Sequence, residues 1–168
     1  MSNVGDSISA SNANWSFDGD TADNFEEHVN KSVPLYELGH QLILDISDYF
    51  VNKDSICYEL GSSTGILTYK LSQKYLKKGA SFVGIDQVEN MIKYAKNKYQ
   101  SKNLSFDCTD VNEYQYACSD LMVSYYLLQF IRPRQRQDLV NRIYESLNWG
   151  GAFICFEKVR APDARFQD

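Results

Sequence analysis

One short apolar strand that ends in a glycine-bounded turn constrains the fold of this chain most strongly. Residues 56–60 (I-C-Y-E-L) are strand-like, and the turn Gly61-Ser62-Ser63-Thr64-Gly65 follows them directly. Apolar residues then recur at helical spacing over about 64–75. A second apolar strand over 81–85 ends at Asp86. A strand, a turn, a helix and a second strand form a βαβ unit, whose two strands pair in parallel.

The alternation of helix and strand continues toward the carboxyl end. Strand-like runs cover 104–108, 121–125 and 152–157, and helical patterns lie between them. The helix after Asp86 has an apolar stripe of Val88, Met91, Ile92, Ala95 and Tyr99. The helix that begins at Pro133 is expected to bury Leu139, Val140, Ile143, Tyr144 and Leu147. This order predicts an α/β fold, a Rossmann-like doubly wound parallel sheet with five strands in this chain.

Residues 1–14 are rich in Ser, Asn, Ala and Gly, so we expect a disordered tail there and one domain over 15–168. Two helices are predicted before the first strand of the sheet, over about 22–31 and about 35–51. The second has apolar residues at helical spacing, which predicts that one face is buried: Leu35, Leu38, Leu42, Ile46 and Tyr49.

Composition excludes several classes of function. The net charge of −5 and pI near 5.0 argue against a broad nucleic-acid-binding surface. The sequence shows neither a signal peptide nor an apolar run of membrane-spanning length, so we expect a cytoplasmic protein with no membrane contact. Its four cysteines form no C-x-x-C pair, so no metal site is expected. Cys57, Cys108 and Cys155 lie in strand-like runs and are expected to be buried.

The residues around the turn distinguish between two kinds of cofactor that contain adenosine, a dinucleotide and S-adenosylmethionine. A dinucleotide fingerprint requires G-x-G-x-x-G, but here the middle glycine is replaced by Ser63 and the third position is Ile66. Glu59 would be poorly placed beside a pyrophosphate, whereas it suits the ammonium and sulfonium groups of S-adenosylmethionine. Asp86 ends the second strand, where an acid can accept both ribose hydroxyls. The sequence therefore favours S-adenosylmethionine over a dinucleotide.

These motifs resemble those of class I S-adenosylmethionine-dependent methyltransferases. The resemblance rests on E-L-G-S-S-T-G, V-G-I-D, D-C-T-D-V, Y-L-L-Q-F and L-N-W-G-G, in that order along the chain. The amino-terminal run F-E-E-H-V-N-K-S-V-P-L-Y-E is narrower and resembles the branch that contains carboxy-S-adenosylmethionine synthases and related methyltransferases. The resemblance covers nearly the whole chain from about residue 15.

The resemblance implies a set of cofactor-binding residues. It places Asp86 on the ribose hydroxyls, Asp110 on the adenine amino group and Tyr36 over the cofactor. The full implied set is Tyr36, Glu59, Gly61, Ser62, Ser63, Gly65, Asp86, Gln87, Asp110, Val111 and Tyr125. Asp86 as a helix cap, Asp110 as a turn residue and Tyr36 as a packing residue remain alternatives.

Three functions remain open at the level of the sequence. The first is methyl transfer from S-adenosylmethionine to a small-molecule acceptor, with Tyr125 and Tyr126 shaping the acceptor pocket and no catalytic base identified. The second is a prephenate-dependent carboxy-S-adenosylmethionine synthase that serves tRNA wobble-uridine modification. The third is a non-catalytic cofactor-binding module. The synthases have an Asn near the cofactor where this sequence has Tyr125, so we rank methyl transfer first.

A class I sheet has further strands after the fifth, and the present sequence ends at Asp168 without them. The open edge of the fifth strand would be an association risk unless something covers it. We therefore expect either a longer natural protein or a second chain at this edge, for example in a homodimer.

Overall fold

The computed structural model describes residues 2–3, 9–11, 14–16 and 21–159. Its first elements are three short antiparallel strands, β1 (Ser2–Asn3), β2 (Ser9–Ser11) and β3 (Asn14–Ser16). The rest of the segment 1–14 lies outside the described residues. The disordered tail over 1–14 and the domain boundary at 15 therefore stay predictions.

The main sheet has five parallel strands. They are β4 (Ile56–Leu60), β5 (Ser81–Asp86), β6 (Leu104–Cys108), β7 (Ser119–Tyr125) and β8 (Leu147–Phe156). Their order across the sheet is β6-β5-β4-β7-β8, so the direction of winding reverses at β4. This topology confirms the predicted Rossmann-like, doubly wound fold.

Five α-helices accompany these strands in the described residues. They are α1 (Thr21–Ser32), α2 (Tyr36–Ser47), α3 (Ile66–Lys74), α4 (Glu89–Lys98) and α5 (Pro133–Ser146), and a 3-10 turn covers Leu128–Phe130. Proline occupies the first turn of α5, where its missing N–H costs no helical hydrogen bond. In the described part of the chain, no helix has the length and apolar character needed to cross a membrane.

Helices cover both faces of the sheet. Successive strand residues point to opposite sides, and the strands have apolar residues on both sides. On one face, α2 and α3 pack against strand residues that include Cys57, Phe82 and Val123. On the other face, α5 packs through Leu139 and Ile143 against Tyr58, Leu60 and Met122. Helix α4 contributes Ile92 and Ala95, which cluster with Phe106. Both faces of the sheet are thus covered by helices.

The predicted buried face of α2 is wrong. Leu35, Leu38, Leu42 and Tyr49 are 74%, 59%, 47% and 83% exposed, and Ile46 is only half-buried. The helix instead faces the sheet with Gly39, His40, Ile43 and Ser47. Gly39 explains the choice of face, since a Cβ atom there would lie 2.1 Å from the Tyr125 hydroxyl. Small residues let α2 approach β7 closely, and the leucines of the predicted apolar face are exposed to solvent.

Other errors concern the margins of the sheet. Val140 and Tyr144 on α5 are exposed, while Leu139 and Ile143 are buried as predicted. Strand β8 begins at residue 147 rather than 152. Cys108 and Cys155 are exposed, and only Cys57 of the three strand cysteines is buried. Both exposed cysteines lie on edge strands, β6 and β8, where helix coverage ends.

Gly84 in the middle of β5 gives a test of the packing between sheet and helices. A Cβ atom at this position would lie 2.7 Å from Phe106 Cδ1 and 2.8 Å from Thr68 Oγ1. We expect Gly84→Ala to lower the free energy of unfolding by about 1–3 kcal/mol in urea denaturation, because the neighbours are closely packed. Ser81→Ala is the matched control on an exposed position of the same strand, with an expected change within about 0.5 kcal/mol. Equal effects of the two changes would contradict this packing.

Candidate functional site

The Gly61–Gly65 turn lies at the carboxyl end of β4, where the strand order reverses. Three of its residues have positive φ angles: Gly61 at 73°, Ser63 at 49° and Gly65 at 78°. The amides of Gly61 and Ser62 both donate to the carbonyl of Ile85, at 2.8 and 2.9 Å. This double hydrogen bond ties the turn to the end of β5. Ligands of open parallel sheets bind in the crevice formed at such a reversal.

Close packing explains why both ends of the turn are glycines. A Cβ atom on Gly61 would lie 2.8 Å from Leu127 Cδ1, and one on Gly65 would lie 2.5 Å from Phe106 Cε1. The left-handed backbone at these positions also favours glycine. The turn therefore has a defined shape before any ligand binds.

Asp86 joins the turn to the loop that follows β5. Its Oδ2 accepts a hydrogen bond from the amide of Ser63 at 2.8 Å, and its Oδ1 accepts one from the amide of Val88 at 2.9 Å. Burial raises the pKa of Asp86, and these backbone donors act in the opposite direction. The bond to Val88 forms an Asx turn just before α4, whose N-cap is Val88 and has no side-chain cap, so Asp86 is not the cap of this helix. The neighbouring Gln87 is exposed on the same loop.

Glu59 is a buried acid beside the turn, with 4% of its surface exposed. Thr68 on α3 donates its hydroxyl hydrogen to Glu59 Oε2. Burial raises the pKa of Glu59 from 4.5 to about 8, with a smaller contribution from the charge of Asp86. Glu59 is therefore mostly protonated at neutral pH. A positively charged group nearby would favour its ionised form, so this position suits a cationic ligand.

Ser62 supplies a second indication that the turn contacts a ligand. Its side chain is 4% exposed, and Ser62 Oγ has no hydrogen-bond partner in the described part of the chain. Leaving a buried hydroxyl unpaired costs about 1–3 kcal/mol. A polar ligand lying in the turn would relieve this cost. The residues present thus fit a polar, cationic cofactor.

An aromatic cluster lies between α2 and the end of β7. The Tyr36 ring is 4.7 Å from the ring of His40 and 5.0 Å from the ring of Tyr125, and Tyr126 lies 4.8 Å from Tyr125. Tyr125 donates its hydroxyl hydrogen to the carbonyl of Tyr36 at 2.6 Å. Burial, followed by the charge of Glu59, raises the pKa of Tyr36. The position of Tyr36 over the cofactor stays a prediction.

Asp110 occupies a turn after β6. Its Oδ1 accepts hydrogen bonds from the amide and the side chain of Asn112, at 2.8 and 2.9 Å. Val111 is buried, and its carbonyl accepts a hydrogen bond from the Tyr116 hydroxyl at 2.8 Å. These contacts are those of the turn alternative for Asp110. The contact with adenine stays a prediction for both residues.

The structure brings most of the predicted residues to one edge of the sheet. The turn, Glu59, Asp86 and Tyr36 are connected by hydrogen bonds or by electrostatic interaction, whereas Tyr125 uses its hydroxyl to bind α2. Two residues of this region were not predicted from the sequence: Thr68, which binds Glu59, and Glu26, which accepts a hydrogen bond from Thr64 at 3.5 Å. Thr68 lies in the first turn of α3, and its contact with Glu59 depends on how closely this helix approaches β4, which the sequence pattern does not show.

Comparison with known proteins bears on the family of this chain. Residues 58–151, more than half of the chain, match the family model described as a methyltransferase domain. The carboxy-S-adenosyl-L-methionine synthase of Staphylococcus epidermidis is 38% identical over 146 residues, which cover 86% of this chain and 64% of the relative. The enzyme of the same name from Helicobacter hepaticus is 38% identical over 151 residues, with 86% and 63% covered. The chain thus spans less than two thirds of the length of these relatives.

Solved structures agree on the fold. A TehB-like SAM-dependent methyltransferase from Corynebacterium glutamicum has a TM-score of 0.60 at 19% identity, over 80% of this chain and 71% of its own. The plantazolicin methyltransferase BpumL in complex with SAH has a TM-score of 0.59 at 16% identity, over 78% and 50%. At such low identity, the likeness concerns the fold alone.

Glu59→Gln tests the buried acid through the pH dependence of stability. The folded protein retains a proton on Glu59 between pH 4.5 and about 8, whereas the unfolded chain releases it. The contribution of Glu59 to stability is therefore complete below pH 4.5 and is lost as the pH rises through about 8. We expect the free energy of unfolding of the wild type, relative to Glu59→Gln, to fall across this window by up to about 1.4 kcal/mol per pH unit.

Urea denaturation of both proteins below, within and above this window measures the difference. Glu37→Gln is the control, because Glu37 is an exposed glutamate on α2. A difference between the wild type and Glu59→Gln that does not change with pH would contradict a raised pKa.

Proposed function

Because the chain belongs to the family of methyltransferase domains, we propose that it binds S-adenosylmethionine at the Gly61–Gly65 turn and transfers a one-carbon group from it. Membership confirms the predicted family, whose enzymes are transferases that use this cofactor. The observation that carries the proposal for this chain is the buried Glu59 beside a preformed turn. Glu59 is uncharged without a ligand, and a nearby positive charge would favour its ionised form, so it suits the positively charged cofactor.

The individual contacts of the proposal follow from the geometry of the turn. Glu59 would hold the positively charged methionine part, and Ser62 would give its unpaired hydroxyl to the same end. Asp86 would accept the ribose hydroxyls while it keeps its bonds to Ser63 and Val88. Asp110 and Val111 would border the adenine. Tyr36 would cover the cofactor from α2.

When bound, the sulfonium of S-adenosylmethionine supplies an activated carbon for displacement. The residues of this chain would contribute orientation and the exclusion of water. The ring cluster of Tyr36, Tyr125 and Tyr126 places aromatic surface at the end of β7, the strand that pairs with β4 and its Glu59. This surface suits a site from which water is excluded.

Of the possible reactions, we favour formation of carboxy-S-adenosylmethionine. The support comes from the curated relatives at 31–38% identity, which carry the name carboxy-S-adenosyl-L-methionine synthase and match over 86% or more of this chain. The matched region includes most of the segment before β4. This reverses the order in which we ranked the two reactions from the sequence.

Methyl transfer to a small molecule remains the second candidate, and Tyr125 is the observation that favours it. The synthases are expected to have an Asn near the cofactor at this position. Here the residue is an aromatic side chain that is 8% exposed and bonded to the backbone of α2. A site shaped by aromatic rings would suit an apolar acceptor.

Incubation of the protein with S-adenosylmethionine, with and without prephenate, distinguishes the two reactions. We expect mass spectrometry to show a cofactor product heavier by one carboxyl group only when prephenate is present. Heat-denatured protein provides the control for non-enzymatic change. If prephenate has no effect and S-adenosylhomocysteine accumulates with an added acceptor, methyl transfer replaces the favoured reaction.

Asp86→Asn tests the ribose contact. The amide keeps the size of the side chain but removes the charge, and hydrogen bonds to charged groups are worth about 1.5–3 kcal/mol. We therefore expect the affinity for S-adenosylhomocysteine, measured by calorimetry, to fall by about tenfold to a hundredfold. Asp45→Asn on the exposed side of α2 is the control. A lower melting temperature with unchanged affinity would show that Asp86 only holds the two loops together.

A further inference from the structure

We propose that Arg142 on α5 is a positioning residue for recognition of the adenine base and that it acts through the loop 109–118 between β6 and β7. The inference rests on the proposed function, in which Asp110 and Val111 at the start of this loop border the adenine. Arg142 is bonded to the same loop further along, at Tyr114. Its role would be to hold the two residues that contact the base in the right place.

The start of the loop presents one acceptor and one donor for a base. Asp110 Oδ1 accepts hydrogen bonds from Asn112, whereas Oδ2 accepts none in the described part of the chain. The amide of Val111 likewise has no acceptor among the described residues. Adenine has an amino donor next to a ring-nitrogen acceptor, so this pair matches it. Hypoxanthine has a carbonyl oxygen and an N–H at these places, and both contacts would be lost.

The loop itself has little regular structure to keep these groups in place. The amide of Thr109 donates to the carbonyl of Asp86 at 3.0 Å, and the amides of Glu113 and Tyr114 donate to the carbonyl of Asp110 at 2.9 and 3.0 Å. The following residues 115–118 belong to no helix or strand. Irregular segments of this kind are mobile unless their side chains bind the rest of the protein.

Two tyrosine hydroxyls hold the loop from inside the fold. Tyr116 donates to the carbonyl of Val111 at 2.8 Å, and the hydroxyl of Tyr58 on β4 accepts from the amide of Ala117 at 3.1 Å. The Tyr58 ring also lies 5.8 Å from the ring of Tyr114 and 5.4 Å from that of Tyr116. Burial raises the pKa of Tyr116, and the charge of Arg142 acts in the opposite direction. The Tyr116 hydroxyl therefore keeps the proton that it donates.

Arg142 adds a charged donor from a rigid helix. Its Nη2 donates to the carbonyl of Tyr114, and hydrogen bonds from charged donors are about twice as strong as neutral ones. Among the described residues, no carboxylate oxygen lies within 4.0 Å of its guanidinium group. The adjacent Ile143 is buried against the sheet, as is Leu139. Arg142 thus gives the loop a fixed point on α5 and is not engaged by an acid.

Loss of this fixed point would be visible as a loss of selectivity. If the loop moves, a ligand with adenine loses its contacts with Asp110 and Val111. A ligand with hypoxanthine has no such contacts to lose, so its affinity stays the same. A purely structural role of Arg142 would instead lower the stability of the protein and affect both ligands equally.

Arg142→Met tests the positioning role, and calorimetry with S-adenosylhomocysteine and S-inosylhomocysteine measures it. We expect the wild type to prefer the adenine compound by about a hundredfold or more, because hypoxanthine leaves two polar groups of the site unpaired. In Arg142→Met, affinity for S-adenosylhomocysteine should fall about tenfold while affinity for S-inosylhomocysteine is unchanged. Arg142→Lys keeps a charged donor and should keep most of the selectivity. Arg134→Met, at an exposed position of α5, is the matched control.

Tyr116→Phe is a second test that does not depend on how well Arg142→Met folds. It keeps the ring in the tyrosine cluster and removes the hydroxyl that binds Val111. We expect the same change as in Arg142→Met, a fall in affinity for S-adenosylhomocysteine alone. Tyr144→Phe is its control, since Tyr144 is 79% exposed.

Three results would overturn the inference. If the wild type is selective and both variants keep that selectivity, the positioning role is wrong while the proposed function stands. If the variants lose affinity for both compounds equally, Arg142 and Tyr116 are only structural. A wild type that binds neither compound overturns the proposed function, and the positioning role with it.

Discussion

The carboxylate of Asp86 holds the site together, because each of its two oxygens accepts a hydrogen bond from a backbone amide of a different loop. One loop is the turn after β4, and the other leads into α4. Because the amides of Gly61 and Ser62 also bind the carbonyl of Ile85, the ends of β4 and β5 form one unit. The positions of Glu59 near the end of β4 and of Ser62 in the turn depend on that unit. A ligand arriving here meets a surface whose backbone is already ordered, which lowers the entropy cost of binding.

The same site has charges that are incomplete without a ligand. Among the described residues, Glu59 is buried without a cation, its pKa is raised to about 8, and Thr68 is the side chain that donates a hydrogen bond to it. A bound cation would favour the ionised form of this acid. These features would otherwise reduce stability.

The sequence predicted the sheet and the cofactor turn well, because both depend on local patterns. A strand followed by a glycine-bounded turn and a helix is compatible with few folds. In a parallel sheet the end of the next strand lies beside this turn, so the position of Asp86 could also be predicted. The face of α2 was predicted wrongly, since Leu35, Leu38 and Leu42 form a better apolar stripe than the face that packs. The direction of the Tyr125 side chain and the Thr68–Glu59 contact could not be predicted, because they depend on how closely helices approach the sheet.

Gly39 sets that approach. A larger residue there would have to displace the Tyr125 ring or move α2 away from β7, since the Tyr125 hydroxyl occupies the place of a Cβ atom. Helix α2 carries Tyr36 and His40, so the distance of both rings from the sheet depends on this contact. The absence of a side chain at one position thus works as a spacer between helix and sheet.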